Sequence, residues 1–349
     1  MSEGRRVITR SQSRDLLRDA AIAVWLNWLV VVHKPRRLQK RHEQNKQAAR
    51  LNVMLACGND HSLLIQKNGS IACTGCNADE EAPPEGVPGD FVAVSAGECF
   101  SMALRRDGSI AWWGDNGLWR WDDQIYLQRY LGYDQGSDFV AIAAGHRHAL
   151  AIRSGGSIVC WGENGEGQAP PEGVPGDFVA IAAGGLHSLA IRSDGSIVCW
   201  GEDEFGSAPP EGVPGDFVAI AAGYYHSIAL RRDGSIACWG QNDYGQAPPQ
   251  DVPGDFVAIA AGYYHSMALR RDGSIAFWGD NDANQAPPEG VNGDFVAIKA
   301  GDDSSLALRR DGMIVCWGFG EEQEVYLCVS DGDVYTRSSE RFRTDLHIV

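Results

Sequence analysis

Five histidines occupy one position of a repeated sequence and are the first residues to consider for chemistry: His61, His148, His187, His226 and His265. Imidazoles gathered in this way could bind a metal ion or act as bases. Two other copies of the repeat carry Phe100 and Ser304 at the same position, and a single site does not need so many copies. We therefore predict that the histidines make buried structural hydrogen bonds and that the chain has no metal site.

Cysteines also recur at one position, which Trp112 and Phe277 fill in other copies: Cys73, Cys160, Cys199, Cys238 and Cys316. A position that accepts Cys, Trp and Phe is an apolar packing position, where a free thiol behaves as a small hydrophobic group. Cys73 and Cys76 form a lone Cys-x-x-Cys, without the second pair of ligands that a zinc site requires.

Motifs for other chemistries are missing from the sequence. It contains no glycine-rich phosphate loop, nucleophile elbow or helical histidine pair. The run Asp280-Asn281-Asp282 lacks the glycine and the distal glutamate of a calcium loop. The sequence therefore predicts no catalytic residue and no cofactor, which favours a protein that is not an enzyme.

An internal repeat of 39 residues positions these side chains. The run Phe-Val-Ala-Ile begins at phenylalanines 39 residues apart, namely Phe139, Phe178, Phe217, Phe256 and Phe295. Phe91 opens a related run 48 residues before the first of them, and Asn52 lies 39 residues before Phe91. Seven units result. Units of this size cannot bury both of their faces alone, so they must stack on one another.

Each unit reads as three clear strands and a weak fourth. In the fifth unit these are 217–223, 226–232 and 235–240, with a fourth strand expected around 246–249. Asp233-Gly234 is a hairpin signal, and at Asn68-Gly69 we expect both turn residues to have positive φ. The pattern predicts an all-β fold, a seven-bladed β-propeller of 39-residue repeats; a β-solenoid is the alternative.

Charge divides the chain into a basic arm and an acidic body. Residues 1–50 contain twelve Lys/Arg and four Asp/Glu, which leaves eighteen and forty-two in residues 51–349. An acidic propeller repels nucleic-acid phosphate, so we expect it not to bind nucleic acid directly. We predict a basic N-terminal extension (1–50), a propeller (51–318), and a C-terminal tail (319–349) whose residues 325–336 resemble an edge hairpin.

The basic extension includes an apolar stretch at residues 20–32, predicted to be a short helix. It is shorter than the ~20 residues of a membrane-spanning helix. Its basic flanks leave three alternatives open: contact with an anionic membrane, packing on a partner, or an uncleaved anchor. Nine cysteines and no recognisable cleavable signal peptide favour a reducing, intracellular location, cytoplasm or nucleus.

The run AGYYHSIALRRDGSIACWGQNDYGQ (222–246) resembles the repeat of the regulator-of-chromosome-condensation family, and the resemblance extends over residues 52–318. It implies a propeller. Members of that family include guanine-nucleotide exchange factors for small GTPases, ubiquitin-ligase modules and inhibitors. The resemblance therefore implies a fold more firmly than a function.

Comparison among the units separates constant from variable positions. The turns Asp-Gly-Ser and Pro-Gly-Asp barely change, whereas the pair before the repeat histidine and the four residues after Trp-Gly differ from unit to unit. Strand direction alternates in a blade, so both variable sets should share one face. Tyr224, Tyr225, Tyr263 and Tyr264 lie in those loops, and aromatic residues are enriched at interfaces. Drift on a solvated face is the alternative.

The second unit has a connection nine residues longer than the others, at 117–138. It contains Trp119, Trp121, Tyr126 and Tyr130, which we predict to bind a partner; local repacking is the alternative. Together these features predict a non-catalytic protein-interaction scaffold. The other functions that the family suggests are an exchange factor for a small GTPase, and a substrate-binding fragment of a ubiquitin ligase or an inhibitor.

Overall fold

The computed structural model describes residues 54–114, 136–318, 326–330 and 333–337. They form twenty-three β-strands in seven antiparallel sheets, which confirms the predicted all-β fold. The N-terminal extension with its apolar stretch lies outside the described residues. No described segment is a helix that could cross a membrane.

Each sheet is one blade, and blades 1 to 7 follow the chain. The inner strands are β1 (Leu55–Cys57), β4 (Phe91–Ala96), β7 (Phe139–Ala144), β10 (Phe178–Ala183), β13 (Phe217–Ala222), β16 (Phe256–Ala261) and β19 (Phe295–Ala300). The middle strands are β2 (His61–Ile65), β5 (Phe100–Arg105), β8 (His148–Arg153), β11 (His187–Arg192), β14 (His226–Arg231), β17 (His265–Arg270) and β20 (Ser304–Arg309). The third strands are β3 (Ile71–Gly75), β6 (Ile110–Gly114), β9 (Ile158–Gly162), β12 (Ile197–Gly201), β15 (Ile236–Gly240), β18 (Ile275–Gly279) and β21 (Met313–Gly318).

The middle strand of a blade is buried on both of its sides, as β14 illustrates with five buried residues out of six. A blade between two neighbours has no solvated sheet face, so small Ala and large Ile or Leu residues alternate where the sheets pack together.

The turn between the second and third strands differs from the predicted two-residue hairpin. Arg231 N donates to Ser235 O at 2.8 Å and Gly234 N to Arg231 O at 3.0 Å. Only Gly234 has positive φ (95°). In the first unit Gly69 has φ 87° but Asn68 is not in the left-handed region, so that expectation was wrong. The turn is a type I turn followed by a left-handed glycine, which has no need of a second positive φ.

The fourth strand is shorter and lies later than expected. In blade 5 it is one bridge, Ile236 with Val252, and not residues 246–249, where two prolines cannot donate to a ladder. The last blade differs because β22 (Tyr326–Ser330) pairs with β21, and β23 (Asp333–Arg337) pairs with β22. The predicted C-terminal hairpin thus extends the outer edge of blade 7.

A ring of seven glycines closes the propeller around its axis: Gly58, Gly97, Gly145, Gly184, Gly223, Gly262 and Gly301. A methyl group on any of them would lie 2.4–2.7 Å from the carbonyl oxygen of the next, and the series returns from Gly301 to Gly58. β1 also packs against β19, with Leu55 and Val296 in one apolar cluster. This closure excludes the solenoid alternative.

The repeat histidines form a buried belt that joins neighbouring blades, which confirms their predicted structural role. Each Nε2 lies 2.8–2.9 Å from a serine hydroxyl of the next blade, in the pairs His61–Ser101, His148–Ser188, His187–Ser227, His226–Ser266 and His265–Ser305. Ser227 Oγ donates its proton to Ser207 O at 2.9 Å. The serine must therefore accept from His187, which carries its proton on Nε2.

At two junctions between blades, other contacts take the place of the histidine–serine hydrogen bond. At the junction of blades 2 and 3, Phe100 takes the histidine position and Ala149 the serine position, and the two pack in one apolar cluster. At the closing junction, Cys57 Sγ lies 3.5 Å from Ser304 Oγ and 3.6 Å from Ser62 Oγ. At the first of these junctions both members of the pair are apolar, so neither leaves a buried polar group without a partner. At the closing junction Ser62 keeps the serine position, and only the histidine is replaced, by Ser304.

Candidate functional site

Two loops of each blade meet on one face of the ring. The first precedes the repeat histidine and the second follows Trp-Gly; in blade 5, Gln241 N of the second donates to Tyr225 O of the first at 2.9 Å. Gly240, at φ 97°, permits this approach because a methyl group there would lie 2.5 Å from Tyr225 O. The same main-chain bond joins Asp280 to Tyr264 in blade 6. This confirms that the variable positions share a face, hereafter the variable face.

The four predicted tyrosines are brought together on the variable face, across blades 5 and 6. Tyr224 and Tyr263 stack with ring centroids 3.9 Å apart and an interplanar angle of 16°. Tyr225 meets Tyr224 at 4.5 Å, and Tyr264 meets Tyr263 at 4.4 Å, both edge to face. Edge-to-face pairs such as the last two are a favoured aromatic geometry.

Two further rings extend the tyrosines outward. Phe205 lies 5.0 Å from Tyr225 and Tyr244 lies 5.1 Å from Tyr264, between ring centroids. They are 40% and 52% exposed, whereas the four tyrosines are half-buried. Sequence analysis missed both, although each is the fourth residue after Trp-Gly in a blade next to a tyrosine pair. We call these six residues the aromatic cluster: Phe205, Tyr224, Tyr225, Tyr244, Tyr263 and Tyr264.

A histidine continues the aromatic cluster toward blade 3. The His146 ring meets Tyr224 edge-on at 5.0 Å. Gly185 of the intervening blade leaves room for this contact, because a methyl group there would lie 2.8 Å from Tyr224 Cγ. Glu98 then lies 3.5 Å from His146 Nε2 and 2.7 Å from Arg147 Nε.

Carboxylates border the aromatic cluster on the side of blade 4. A cleft of ≈ 360 Å³ is lined by Glu166, Leu186, Gly201, Glu202, Asp203, Glu204 and Tyr225. Burial raises the pKa of Glu202, and the neighbouring Glu204, Asp203 and Glu166 carboxylates raise it further. Its Oε1 accepts from Glu204 N at 2.7 Å, while its buried Oε2 has no hydrogen-bond partner.

A second acidic group borders the cluster on the side of blade 7. Burial raises the pKa of Asp302 to about 7, and the nearby Asp303, Asp60 and Glu98 carboxylates act in the same direction. Burial also raises the pKa of Asp303. Acidic groups therefore lie close together here, and burial together with mutual repulsion makes Asp302 take up a proton more readily than a solvated carboxylate does.

The opposite face, which carries the Asp-Gly-Ser and Pro-Gly-Asp turns, is hereafter the constant face. Its aspartates are paired with arginines, as in Arg106–Asp90 (2.8 Å), Arg232–Asp216 (2.6 Å) and Arg310–Asp294 (2.9 Å). On the variable face, the ion pairs found between described residues are those of Glu98. The two faces thus differ in how their acidic side chains are neutralised.

The family model described as the regulator of chromosome condensation (RCC1) repeat matches residues 139–168, 178–207, 217–246, 256–285 and 295–322. The chain belongs to the RCC1-repeat family. No curated protein is significantly similar to it in sequence.

Solved structures share the fold of this RCC1-repeat chain. Prp20p of Saccharomyces cerevisiae is 19% identical with a TM-score of 0.60, over 79% of this chain and 82% of that chain. The CRINKLY WD40 ectodomain of the Arabidopsis thaliana receptor kinase ACR4 is 22% identical (TM-score 0.58; 76% and 95% covered). Human WBSCR16 is 20% identical (TM-score 0.60; 72% and 85% covered).

The repeated cysteines of this RCC1-repeat propeller are packing residues. Burial raises the pKa of the Cys160 and Cys199 thiols to about 12, so they stay protonated and are poor nucleophiles and metal ligands. Across 54–114 and 136–318, no three His, Cys, Asp or Glu residues are grouped as metal ligands. Trp119, Trp121, Tyr126 and Tyr130 of the long connection lie outside the described residues, so their predicted role stays a prediction.

Proposed function

We propose that this RCC1-repeat propeller is a non-catalytic protein-interaction scaffold that binds its partner on the variable face. The observation that carries the proposal is the aromatic cluster, six rings in continuous contact with its two outermost members, Phe205 and Tyr244, exposed. Large rings in mutual contact offer broad apolar area at little cost in conformational entropy, and they are the residues that dominate binding energy at interfaces.

The rigidity of the loops supports the same proposal. Tyr244 N is held by Gln246 Oε1 at 3.0 Å, and Asn242 Oδ1 accepts from Ala247 N at 2.8 Å. Together with the main-chain bond from Gln241 to Tyr225, these contacts fix the loops before a partner arrives. A preformed surface loses less entropy on binding than a loop that must first be ordered.

The experiment is partner capture by the full chain and by two variants. Phe205→Ser combined with Tyr244→Ser removes the exposed rings, and loss of one interface anchor weakens binding by about 2 kcal/mol, roughly thirtyfold. The matched control changes the four tyrosines to Phe, which keeps every ring. We expect the first variant to lose the partner and the control to retain it. Unchanged capture by a correctly folded Phe205/Tyr244 variant would show that the partner binds elsewhere.

A second candidate function is guanine-nucleotide exchange on a small GTPase. It is favoured by the structural likeness to Prp20p, whose binding to Gsp1p, a small GTPase, and to histones has been described. Exchange requires the propeller to stabilise a nucleotide-free GTPase. Release of labelled nucleotide from a panel of small GTPases separates the two functions: acceleration by the full chain would replace the scaffold with an exchange factor.

A further inference from the structure

The variable face combines aromatic rings with carboxylates that have no counter-ion beside them. Tyr225 lines the same cleft as Glu202 and Glu204. On the other side of the cluster, Asp243 lies near enough to Tyr264, and Asp280 to Asp303, to raise their pKa values. Acidic groups therefore border the rings at both ends.

Cations are scarce on this face. Of the Lys and Arg residues in its described loops, Arg147 stands alone, and it is engaged by Glu98 at 2.7 Å. The carboxylates of the cleft, by contrast, form no ion pair with any described residue. Glu202 shows the consequence most clearly, because its buried Oε2 has no hydrogen-bond donor among the described residues, and three carboxylates that line the same cleft raise its pKa. Such a group gains from a positively charged donor brought by a ligand.

We propose that the variable face binds an extended segment rich in lysine and arginine, supplied by a partner protein. Guanidinium and ammonium groups would lie against the faces of Phe205, Tyr225 and Tyr244 while pairing with the carboxylates of the cleft. Both contacts favour the same ligand, since cations are attracted to aromatic faces and arginine matches carboxylate geometry. This inference rests on the proposed function, whose binding surface it uses.

The form of the surface also favours a segment over a single ion or a small folded tip. The rings run from Phe205 in blade 4, through Tyr225 and Tyr224, to Tyr263 and Tyr264 in blade 6. Carboxylates accompany them from the cleft between blades 3 and 4 to Asp303 in blade 7. A chain with basic side chains at intervals can meet both series at once.

The test measures binding of a fluorescent peptide of Arg, Lys and Ser to the full chain, with the same peptide carrying Glu in place of the basic residues as the first control. One protein variant neutralises the cleft: Glu166→Gln, Glu202→Gln, Asp203→Asn and Glu204→Gln. The matched variant neutralises the constant face: Asp90→Asn, Asp216→Asn, Asp255→Asn and Asp294→Asn. Both variants remove the same amount of negative charge from the molecule.

We expect the cleft variant to weaken peptide binding by about tenfold or more, and the constant-face variant to change it by less than about threefold. If the two variants weaken peptide binding equally, the effect depends only on the net charge of the protein, and the proposal is wrong. Equal binding of the Glu peptide, or no binding of the basic peptide, would also overturn it.

A further experiment tests whether the chain's own residues 1–50, which carry twelve Lys/Arg, occupy the variable face. If removing the charge of these basic residues, by substitution to Gln in the full chain, leaves peptide affinity unchanged, the site is open to a partner as proposed. If it raises affinity strongly, the extension is the occupant and the partner assignment is wrong.

Failure here is separable from failure of the scaffold proposal. Partner capture that depends on Phe205 and Tyr244 but not on the cleft carboxylates would leave the scaffold in place and remove the basic ligand. If peptide binding depends on the cleft carboxylates but partner capture does not depend on Phe205 and Tyr244, the basic ligand stands and the scaffold proposal is wrong.

Discussion

The two faces of this propeller are built from the same repeats, yet side chains help to hold the turns of the constant face, whereas the residue pair before the repeat histidine on the variable face is held through its main chain. On the constant face, Asp233 Oδ1 accepts from both Ser235 N (2.9 Å) and Ser235 Oγ (2.7 Å), and Arg232 pairs with Asp216 at 2.6 Å. On the variable face, the main-chain bond from Gln241 N to Tyr225 O joins the two loops.

This difference explains which positions vary. A turn that depends on bonds between Asp and Ser side chains and on a glycine with positive φ is weakened when those residues change, so its sequence stays nearly constant from unit to unit. The pair before the repeat histidine is bonded through the carbonyl oxygen of its second residue, which is present with any side chain, so His146-Arg147, Gly185-Leu186 and Tyr224-Tyr225 are free to differ. The ring can therefore present a different side chain from each blade on a rigid frame.

The largest expected effect is acid unfolding through the histidine belt, which carries the variable loops. Burial lowers the pKa of His148 and His226 to about 3, and of His187 and His265 to about 4. Unfolded histidines take up a proton near pH 6.5, so below that pH the unfolded state binds more protons than the folded state. Each histidine then lowers the free energy of unfolding by about 1.4 kcal/mol per pH unit. Asp302, Asp303 and Glu202, whose pKa values are raised, oppose this slope, but they are three groups against the five histidines of the belt, whose pKa values are all lowered.

We expect the midpoint of chemical unfolding to fall steeply as the pH decreases from 6.5 toward 4. The control copies the junction of blades 2 and 3 into the junction of blades 5 and 6 by combining His226→Phe with Ser266→Ala. The double variant should be more stable than either single variant and should lose one histidine's share of the pH slope. A pH-independent midpoint would show that the belt is not the frame on which the variable face depends.

A smaller effect distinguishes the turns of the two faces. Gly234 on the constant face and Gly245 on the variable face both have positive φ, 95° and 81°. A methyl group on Gly234 would lie 3.0 Å from Asp255 Cα and Gly254 O, whereas one on Gly245 meets no atom within 4 Å. We expect Gly234→Val to cost about 3 kcal/mol, from backbone strain and the close contacts together.

Gly245→Val suffers the strain alone, so its cost should be about 1–2 kcal/mol. Urea unfolding of both variants measures the comparison. Equal losses would mean that space at the constant turns does not restrict their sequence, and the explanation for their uniformity would be wrong.

The repeat allowed the ring, the three clear strands of each blade and the grouping of the variable loops to be predicted from sequence. The spacing of the repeat was enough for these predictions, because residues at the same position of each repeat must occupy the same place in a stacked array of units. The type of the Asn68-Gly69 turn was not predictable from that dipeptide, since Ser70 accepts the strand-closing bond from Gln66 at 2.8 Å and lengthens the turn.

Features that break the repeat were the ones sequence analysis could not place. Cys57 and Ser304 are 247 residues apart and meet only because the ring closes. Phe205 and Tyr244 lie in different units from some of the residues they border, and their contact with the tyrosine pairs depends on how blades pack. The four tyrosines could be predicted because they lie next to the repeat histidine, so their position within the repeat is evident from the sequence.

The smallest expected effect is a change in the free energy of unfolding that differs in sign between the two faces when a single carboxylate is neutralised. Asp216→Asn on the constant face removes a two-pronged contact, Arg232 Nε to Oδ2 at 2.6 Å and Nη2 to Oδ1 at 3.0 Å. We expect a loss of about 0.2–1 kcal/mol, which is the usual range for an exposed pair. Glu202→Gln on the variable face removes the charge of a carboxyl group whose pKa is raised by burial and by neighbouring carboxylates, while its amide oxygen can still accept from Glu204 N.

Glu202→Gln should therefore raise the stability, by a few tenths of a kcal/mol because solvent screens much of the repulsion. Urea unfolding at neutral pH and low salt gives both signs, and added salt should shrink both effects, since it screens attraction on one face and repulsion on the other. If Glu202→Gln destabilises the protein as Asp216→Asn does, then Glu202 already has a counter-ion in the free protein. The variable face would in that case resemble the constant face in the one respect on which the basic-ligand proposal depends.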